Sequence, residues 1–240
     1  VYKRQAYETL AKVLNQPGGL TERDLEHLQS VYDRRLRETD MVIGELARTL
    51  EDRGLTEETL LVVTSDHGEQ FLEHGNLVHG GDAFYNELIH IPFIVSNPRL
   101  YPQTVAASTP MTSIDFGPTL LDLMGLDIPE VHQGESLADR YDDDRVVFAT
   151  DGRTWKALNR EWSYIASEAL GREELYNLGA DPGETDNLVD REPEIVELAR
   201  RHVLQAIAEC AQHPYLAINI DEIEMPDEQK ERLRSLGYIE

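Results

Sequence analysis

Three segments of the chain space their apolar side chains as helices do. Between Thr21 and Gly54, leucine, isoleucine and tyrosine recur at intervals of three, four and seven residues. A Thr21-x-x-Asp24 capping box begins this segment and Gly54 ends it, so we expect one long helix or two abutting helices. The same spacing predicts a helix over residues 114–124 and an amphipathic helix over about residues 193–210.

Two short apolar runs have the composition of buried parallel strands. Residues 60–64 and 91–95 are continuous, largely β-branched segments, and a loop rich in glycine and histidine separates them. Such runs are typical of strands that are covered on both faces. Helix, strand, polar loop, strand and helix is the order of an α/β domain with a parallel or mixed sheet.

Beyond about residue 129 the pattern changes to short alternating segments. Residues 146–150, 162–167 and 175–178 predict small antiparallel strands, and the acidic residues 142–144 predict a linker or exposed turn. We therefore divide the chain into an α/β part, residues 1–135, and a small α+β subdomain, residues 136–240. Trp155 and Trp162 either pack in the core of this subdomain or stack on a sugar or aryl ring.

Composition excludes several classes of protein. The chain has 22 basic and 46 acidic side chains and a formal charge of -24, which argues against binding to nucleic acid or to an anionic membrane. No apolar run approaches the roughly eighteen residues of a membrane span. Cys210 is the single cysteine, so no intramolecular disulfide can form. The chain begins at Val1 within helical sequence, and we expect it to be part of a longer protein.

The residues with the clearest chemical potential follow the first predicted strand. Asp66, His67, His74 and His79 lie in one glycine-rich loop, and α/β sheets bind ligands where their strands end. An aspartate oxygen beside a histidine nitrogen is a usable metal pair, and the glycines allow the backbone to approach an anion. Each residue also has a structural interpretation: Asp66 as a loop cap, His74 as a solvated loop residue and His79 as a turn histidine.

Several segments resemble the sulfatases of the alkaline-phosphatase superfamily, in the order that this family has them. Residues 65–69 match the family's Ser-Asp-His-Gly-Glu signature. Residues 32–46 are similar to the helix that precedes this signature in the family. The remaining similar segments are Tyr85-Asn86-Glu87 with residues 91–95, Asp115-x-x-Pro118-Thr119-Leu120 with Gly134-Glu135-Ser136-Leu137, and Leu175-Tyr176-Asn177-Leu178 with Asp181-Pro182-x-Glu184. Each motif alone is weak, but the ordered set is specific.

The resemblance implies a fold and a chemistry. It implies an alkaline-phosphatase-like α/β fold, with a mixed sheet flanked by helices, incomplete here, and a small C-terminal antiparallel sheet with a helix. Asp66 and His67 would bind a divalent metal, Ca²⁺ in most members, with Mn²⁺ or Zn²⁺ left open. His79 would contact the sulfate as a catalytic cation, and His74 would be a second substrate-binding residue.

The resemblance also leaves parts unmatched. The family's nucleophile, a formylglycine made from Cys or Ser, belongs upstream of Asp66, and no segment there matches its motif. We therefore expect the nucleophile outside these 240 residues and expect the chain alone to be inactive. The implied substrate is a small-molecule or glycan sulfate ester. Many members are exported, which suggests an extracytoplasmic location, although the sequence leaves localisation and oligomeric state open.

Two other functions stay open. A phosphodiesterase, phosphonate monoester hydrolase, or phosphoethanolamine or phosphoglycerol transferase of the same superfamily would carry the same Asp-His pair. A binding domain that kept the fold without catalysis would lack a nucleophile altogether.

Overall fold

A computed structural model of the protein describes residues 20–79, 84–139, 142, 144–167 and 171–212. Within these residues the α-helices are α1 (Glu22–Asp52), α2 (Asn86–Ile89), α3 (Phe116–Leu123) and α4 (Pro193–Gln212). The strands are β1 (Leu61–Thr64), β2 (Gln70–Phe71), β3 (Leu77–Val78), β4 (Phe93–Ser96), β5 (Val147–Thr150), β6 (Thr154–Leu158), β7 (Trp162–Ser167) and β8 (Arg172–Asn177). Short 3₁₀ turns lie at Thr56–Glu58 and Ser113–Asp115.

Helix α1 is one continuous helix of 31 residues, which confirms the first of the two alternatives. The predicted capping box is present: the Asp24 N–H donates to the Thr21 hydroxyl at 3.3 Å, and the Thr21 N–H donates to the Asp24 carboxylate at 2.9 Å. Gly54 ends the segment with a φ of +67°, a conformation that glycine adopts without steric cost. No side chain of α1 is buried, and Met41 is 64% exposed.

Strands β1 and β4 pair with each other, but not as two parallel strands. They run antiparallel, with Leu61 opposite Ser96 and Thr64 opposite Phe93. The parallel interpretation of these two strands was therefore wrong, because an apolar run indicates that a strand is buried and does not indicate its direction. They are also less buried than predicted, since Ile94 is 55% exposed.

The C-terminal sheet contains four antiparallel strands in the order β5-β6-β7-β8. The three predicted strands are confirmed, and β6 was missed because Lys156 interrupts its apolar pattern. Helix α4 covers one face of the sheet and extends the predicted helix to Gln212. The core there consists of side chains from the sheet and from α4, namely Ala157, Tyr164, Leu175, Val196 and Val203. Trp155 and Trp162 pack against this core, which confirms the first of their two interpretations.

The segment that follows α3 returns to the start of that helix and forms hydrogen bonds with it. Asp115 is fully buried at the start of α3 and accepts a bond from the Glu135 N–H at 2.9 Å. The Arg145 guanidinium donates to both carboxylate oxygens of Asp115, at 2.8 and 3.0 Å. The predicted boundary after residue 135 therefore lies in a connection that contacts both parts of the chain.

None of the helices in the described ranges is long and apolar enough to cross a membrane.

Candidate active site

The chain leaves β1 directly into the Asp66-His67 pair. The His67 N–H donates to Oδ1 of Asp66 at 3.0 Å, and Nδ1 of His67 lies 2.7 Å from the carbonyl oxygen of Gly68. A carbonyl oxygen only accepts, so Nδ1 carries the proton of the neutral ring and Nε2 keeps its lone pair. Nε2 lies 3.8 Å from Oδ2 of Asp66, and the two side chains are 40% and 71% exposed.

Gly68 holds this pair against α2. Its N–H donates to the Leu88 carbonyl at 2.6 Å. A Cβ at position 68 would lie 2.0 Å from the carbonyl oxygen of Glu87, so no larger residue fits without moving the backbone. The loop after β1 is therefore packed on the backbone of α2, which fixes the backbone position of His67.

His79 joins the pair from the other end of the loop. It follows β3, and its ring centroid lies 4.4 Å from that of His67. Nδ1 of His79 lies 3.3 Å from Oε1 of Glu69, the residue just before β2. The structure therefore brings Asp66, His67 and His79 together, as their shared loop predicted, and it adds Glu69 to the cluster.

His74 lies at the other end of the β2-β3 hairpin, and the solvated-loop interpretation was wrong. Its side chain is 10% exposed and stacks on Tyr85 with ring centroids 3.4 Å apart. Nδ1 lies 2.7 Å from Oε1 of Glu87, and Nε2 lies 2.9 Å from the backbone oxygen of Glu184. The substrate contact expected of His74 stays a prediction, and both ring nitrogens already bond to acceptors within the protein.

The environment of His74 favours its charged form. Burial by itself lowers the pKa of His74, but the Glu184 carbonyl and the Glu87 carboxylate outweigh burial, so the pKa lies above its usual value. Burial likewise raises the pKa of Glu87, and the bonds from His74 and Gln70 bring it below its usual value. Each group therefore favours the charged form of the other.

A second ion pair contains Glu184, whose backbone oxygen contacts His74. Lys156 and Glu184 are fully buried, and Nζ lies 2.6 Å from Oε1. Glu184 also accepts the Ser163 hydroxyl at 2.5 Å and the backbone N–H of Asn86 at 2.6 Å. Glu184 has a φ of +52°, a left-handed conformation uncommon for a non-glycine residue. Its carboxylate joins the C-terminal sheet to the first residue of α2.

Asp66 and His67 fit one part of a metal site. Metal–ligand distances of about 2.0–2.6 Å allow donors 3.8 Å apart to share an ion. The Gly68 carbonyl fixes the ring tautomer that leaves Nε2 as a ligand, as in many metal sites. In the described part of the chain, however, no group of three or more His, Cys, Asp or Glu side chains is arranged to bind a metal. Calcium takes about six to eight oxygen ligands, so these two residues supply a minority of its shell.

Comparison with known protein families shows the family to which this chain belongs. The family model described as Sulfatase matches residues 3–126, more than half of the chain. The chain belongs to the sulfatase family. Members of this family generally use a divalent metal.

Curated relatives are similar in sequence over most of this chain. Bovine arylsulfatase K is 25% identical over 201 residues, which cover 75% of this chain and 37% of the relative. Arylsulfatase K of Xenopus laevis is 26% identical over 204 residues, 74% of this chain and 36% of the relative. The chain thus spans little more than a third of the length of these relatives.

Solved structures share the fold. A Bacteroides thetaiotaomicron protein assigned to the sulfatases superposes with a TM-score of 0.69 at 21% identity, covering 85% of this chain and 47% of that chain. Phosphonate monoester hydrolase of Agrobacterium radiobacter superposes with a TM-score of 0.64 at 22% identity, covering 79% and 43%. A protein solved with its substrate D-glucosamine-2-N,6-O-disulfate gives 0.66 at 20% identity, covering 90% and 47%. These neighbours confirm the alkaline-phosphatase-like α/β fold.

Sequence reasoning missed four polar side chains around the site: Glu69, Glu87, Lys156 and Glu184. Glu69, Glu87 and Glu184 lie within the motifs that carry the family resemblance, so the sequence marked these positions without giving them a contact. Lys156 had one local signal, since a lysine in an otherwise apolar strand requires a partner when it is buried.

Proposed function

We propose that this chain carries part of the catalytic site of a metal-dependent sulfuric ester hydrolase of the arylsulfatase type. Family membership and the arylsulfatase K relatives support this reaction. The observation that carries the proposal is the Asp66-His67 pair, exposed at the end of β1 with Nε2 of His67 held as a lone-pair donor. The formylglycine nucleophile belongs to a part of the protein outside these 240 residues.

Asp66 and His67 would hold the divalent metal. The carboxylate favours a hard cation such as Ca²⁺, while the imidazole nitrogen suits Mn²⁺ or Zn²⁺ as well. The bound ion supplies Lewis-acid polarisation of the sulfate oxygens. The chain's own contribution is to fix the two donors, through the Gly68 carbonyl and the packing of Gly68 on α2.

His79 would be the catalytic residue that contacts the sulfate. A protonated imidazole beside the transferred group stabilises negative charge as it develops. Glu69 contacts Nδ1 of His79 at 3.3 Å and so orients the ring. The 4.4 Å distance between the ring centroids of His79 and His67 supports this role, since His79 lies next to the proposed metal pair.

The substrate class is a sulfate ester of a small molecule or a glycan. The relatives are arylsulfatases by name, and one structural neighbour binds a disulfated glucosamine. In this arrangement residues 1–135 form the C-terminal part of the α/β catalytic domain, and residues 136–240 form the small subdomain that supports it. The contacts of Glu184 with Asn86 and His74 support that division of labour.

The test is hydrolysis by the product of the whole reading frame that contains this chain in its source genome. We expect 4-methylumbelliferyl sulfate to be cleaved with Ca²⁺ present, and expect a chelator to abolish cleavage. His79→Ala should lower kcat by roughly 10²- to 10³-fold, since it removes one charge-stabilising donor. His90→Ala is the matched control, because His90 is an exposed histidine at the entrance to β4.

The alternatives are distinguished in the same assay. A phosphoryl-type enzyme would cleave the matched phosphodiester or phenylphosphonate faster than the sulfate. A binding domain would cleave none of them, and its reading frame would lack a Cys, Ser or Thr nucleophile upstream of Val1. Either result would overturn the sulfatase proposal.

A further inference from the structure

The hairpin of β2 and β3 connects the candidate site to the C-terminal sheet. Its base carries Glu69 on one side and His79 on the other, in contact at 3.3 Å. Its tip contains Leu72 and Gly75, both with left-handed φ angles, 71° and 81°. His74 lies between these two tip residues, and its ring contacts α2 and the turn after β8.

The contacts of the His74 ring require a particular protonation state. The Glu87 carboxylate and the Glu184 carbonyl are both acceptors, and Glu87 also accepts the Gln70 side-chain amide at 3.1 Å. A neutral imidazole carries one N–H and can donate to one of these acceptors. An imidazolium carries two N–H groups and satisfies both. The geometry therefore selects the charged ring at the hairpin tip.

The charged groups around the ring agree with this selection. Glu87 faces His74 from α2, and Asp181 and Glu184 face it from the turn after β8. Two cations that share partners with His74 are themselves paired with anions: Lys156 with Glu184, and Arg172, which lies over the Tyr85 ring, with Glu174. Tyr85 stacks on the flat face of the ring with an angle of 9° between the planes. His74 is thus surrounded by acceptors and anions.

We propose that His74 is a positioning residue of the active site. Its imidazolium fixes the hairpin tip to Glu87 and to the backbone of Glu184, and the hairpin in turn holds His79 beside His67. His74 acts through the hairpin and does not touch substrate, which replaces the substrate contact expected from the sequence. This inference rests on the proposed function for one point only, the chemical roles of His67 and His79.

The experiment is an NMR titration of the 240-residue chain with labelled histidines. It follows the ¹⁵N signals of His74 and the cross-peak between the ring protons of His67 and His79, from below to well above the ordinary histidine pKa of about 6.5. We expect His74 to show two N–H nitrogens and to titrate above that value. The His67-His79 cross-peak should weaken as the pH rises through the pKa of His74.

Variants separate positioning from general stability. At a pH where His74 is charged, His74→Ala should abolish the cross-peak, while the methyl signals of Ile165 and Leu175 in the C-terminal sheet stay in place. His74→Gln keeps one neutral donor, so the His67-His79 cross-peak should be weaker in this variant. Because glutamine does not titrate, the cross-peak should no longer weaken as the pH rises through the pKa that His74 has in the unaltered chain. His90→Ala should behave as the unaltered chain.

Two results would overturn the proposal: a cross-peak in His74→Ala as strong as in the unaltered chain, or a His74 that titrates without any change at His67 and His79. If His74→Ala fails to fold, the pH profile of the unaltered chain and of His74→Gln decides. Neither readout needs metal or substrate. A failure of the sulfatase proposal would therefore leave these results unchanged, and the two proposals fail independently.

Discussion

The two halves of this chain differ in how they are held together. The C-terminal sheet and α4 enclose a core in which Ile165 and Leu175 are completely buried. In the half that carries the site, Tyr85 and Pro118 are the two buried apolar side chains among the described residues, and Tyr85 contacts the C-terminal sheet. Helix α1 leaves Met41 and Val42 exposed by 64% and 65%. The candidate site thus lies on the less buried half, which contacts the other half through Tyr85.

The comparison assigns a role to the subdomain. Its turn supplies Glu184, which bonds to Asn86 and His74, and its sheet supplies Lys156, which donates to Asn86. Ser163 of the same sheet donates to Glu184. Those two residues belong to the same α2 and hairpin that carry the site loop. A buried polar network therefore joins the small subdomain, which has no proposed catalytic residue of its own, to the elements that carry the candidate site.

The largest expected effect tests that network. Lys156→Met leaves the buried Glu184 without its cation, which should lower the free energy of unfolding by about 3–5 kcal/mol. Urea unfolding followed by the fluorescence of Trp155 and Trp162 measures it, since both indoles lie in the C-terminal sheet. Arg35→Met is the matched control. It removes an ion pair with Glu38 that is 72% and 52% exposed, and it should cost less than about 1 kcal/mol. Equal effects would contradict the role given to the network.

The contrast in burial predicts the next largest difference. Leu175 is completely buried, whereas Leu46 on α1 is 48% exposed. Leu175→Ala should lower the free energy of unfolding by about 2–5 kcal/mol, because it opens a cavity in the core. Leu46→Ala should change it by no more than about 0.5 kcal/mol. If the leucine of α1 proved as costly as that of β8, α1 would be covered in solution, and the contrast between the halves would fail.

A smaller effect concerns the charge on His74. Glu87→Gln removes the anion that faces Nδ1 but keeps a carbonyl acceptor in its place, so the pKa of His74 should fall towards its ordinary value. The raised pKa means that His74 stabilises the fold fully below about pH 6.5 and that this contribution is lost as the pH rises through its folded pKa. Urea unfolding across this pH range should show that loss in the unaltered chain and a smaller one in Glu87→Gln. An unchanged pH profile would remove Glu87 from the account.

The sequence predicted those parts of the molecule that depend on local pattern. The apolar spacing and the capping box defined α1, and the glycine-rich loop after the first predicted strand contained Asp66, His67, His74 and His79. Contacts over long sequence separations could not be predicted in the same way. Nε2 of His74 bonds to a carbonyl 110 residues away, and Lys156 pairs with Glu184 across 28 residues. Both residues appear as exposed polar positions until the fold supplies their partners.

The pairing of β1 with β4 illustrates a second limit. Their apolar composition predicted two strands correctly, but composition carries no information on direction, and the register of Leu61 with Ser96 follows from the path of the chain between them. That path also places α2 under Gly68, which is what fixes the Asp66-His67 pair. The residues of the candidate site were thus proposed from the sequence, whereas the contacts around them could not be predicted from it.

The proposed function depends on Asp66 and His67 as two ligands of a divalent metal. Their role is measured by the paramagnetic broadening of histidine ring signals when Mn²⁺ is added in small amounts to the 240-residue chain. We expect the His67 signals to broaden first, those of exposed His90 to be unaffected, and Asp66→Asn to abolish the selectivity. Broadening that does not include His67, or selective broadening that persists in Asp66→Asn, would show that the two residues do not bind the metal.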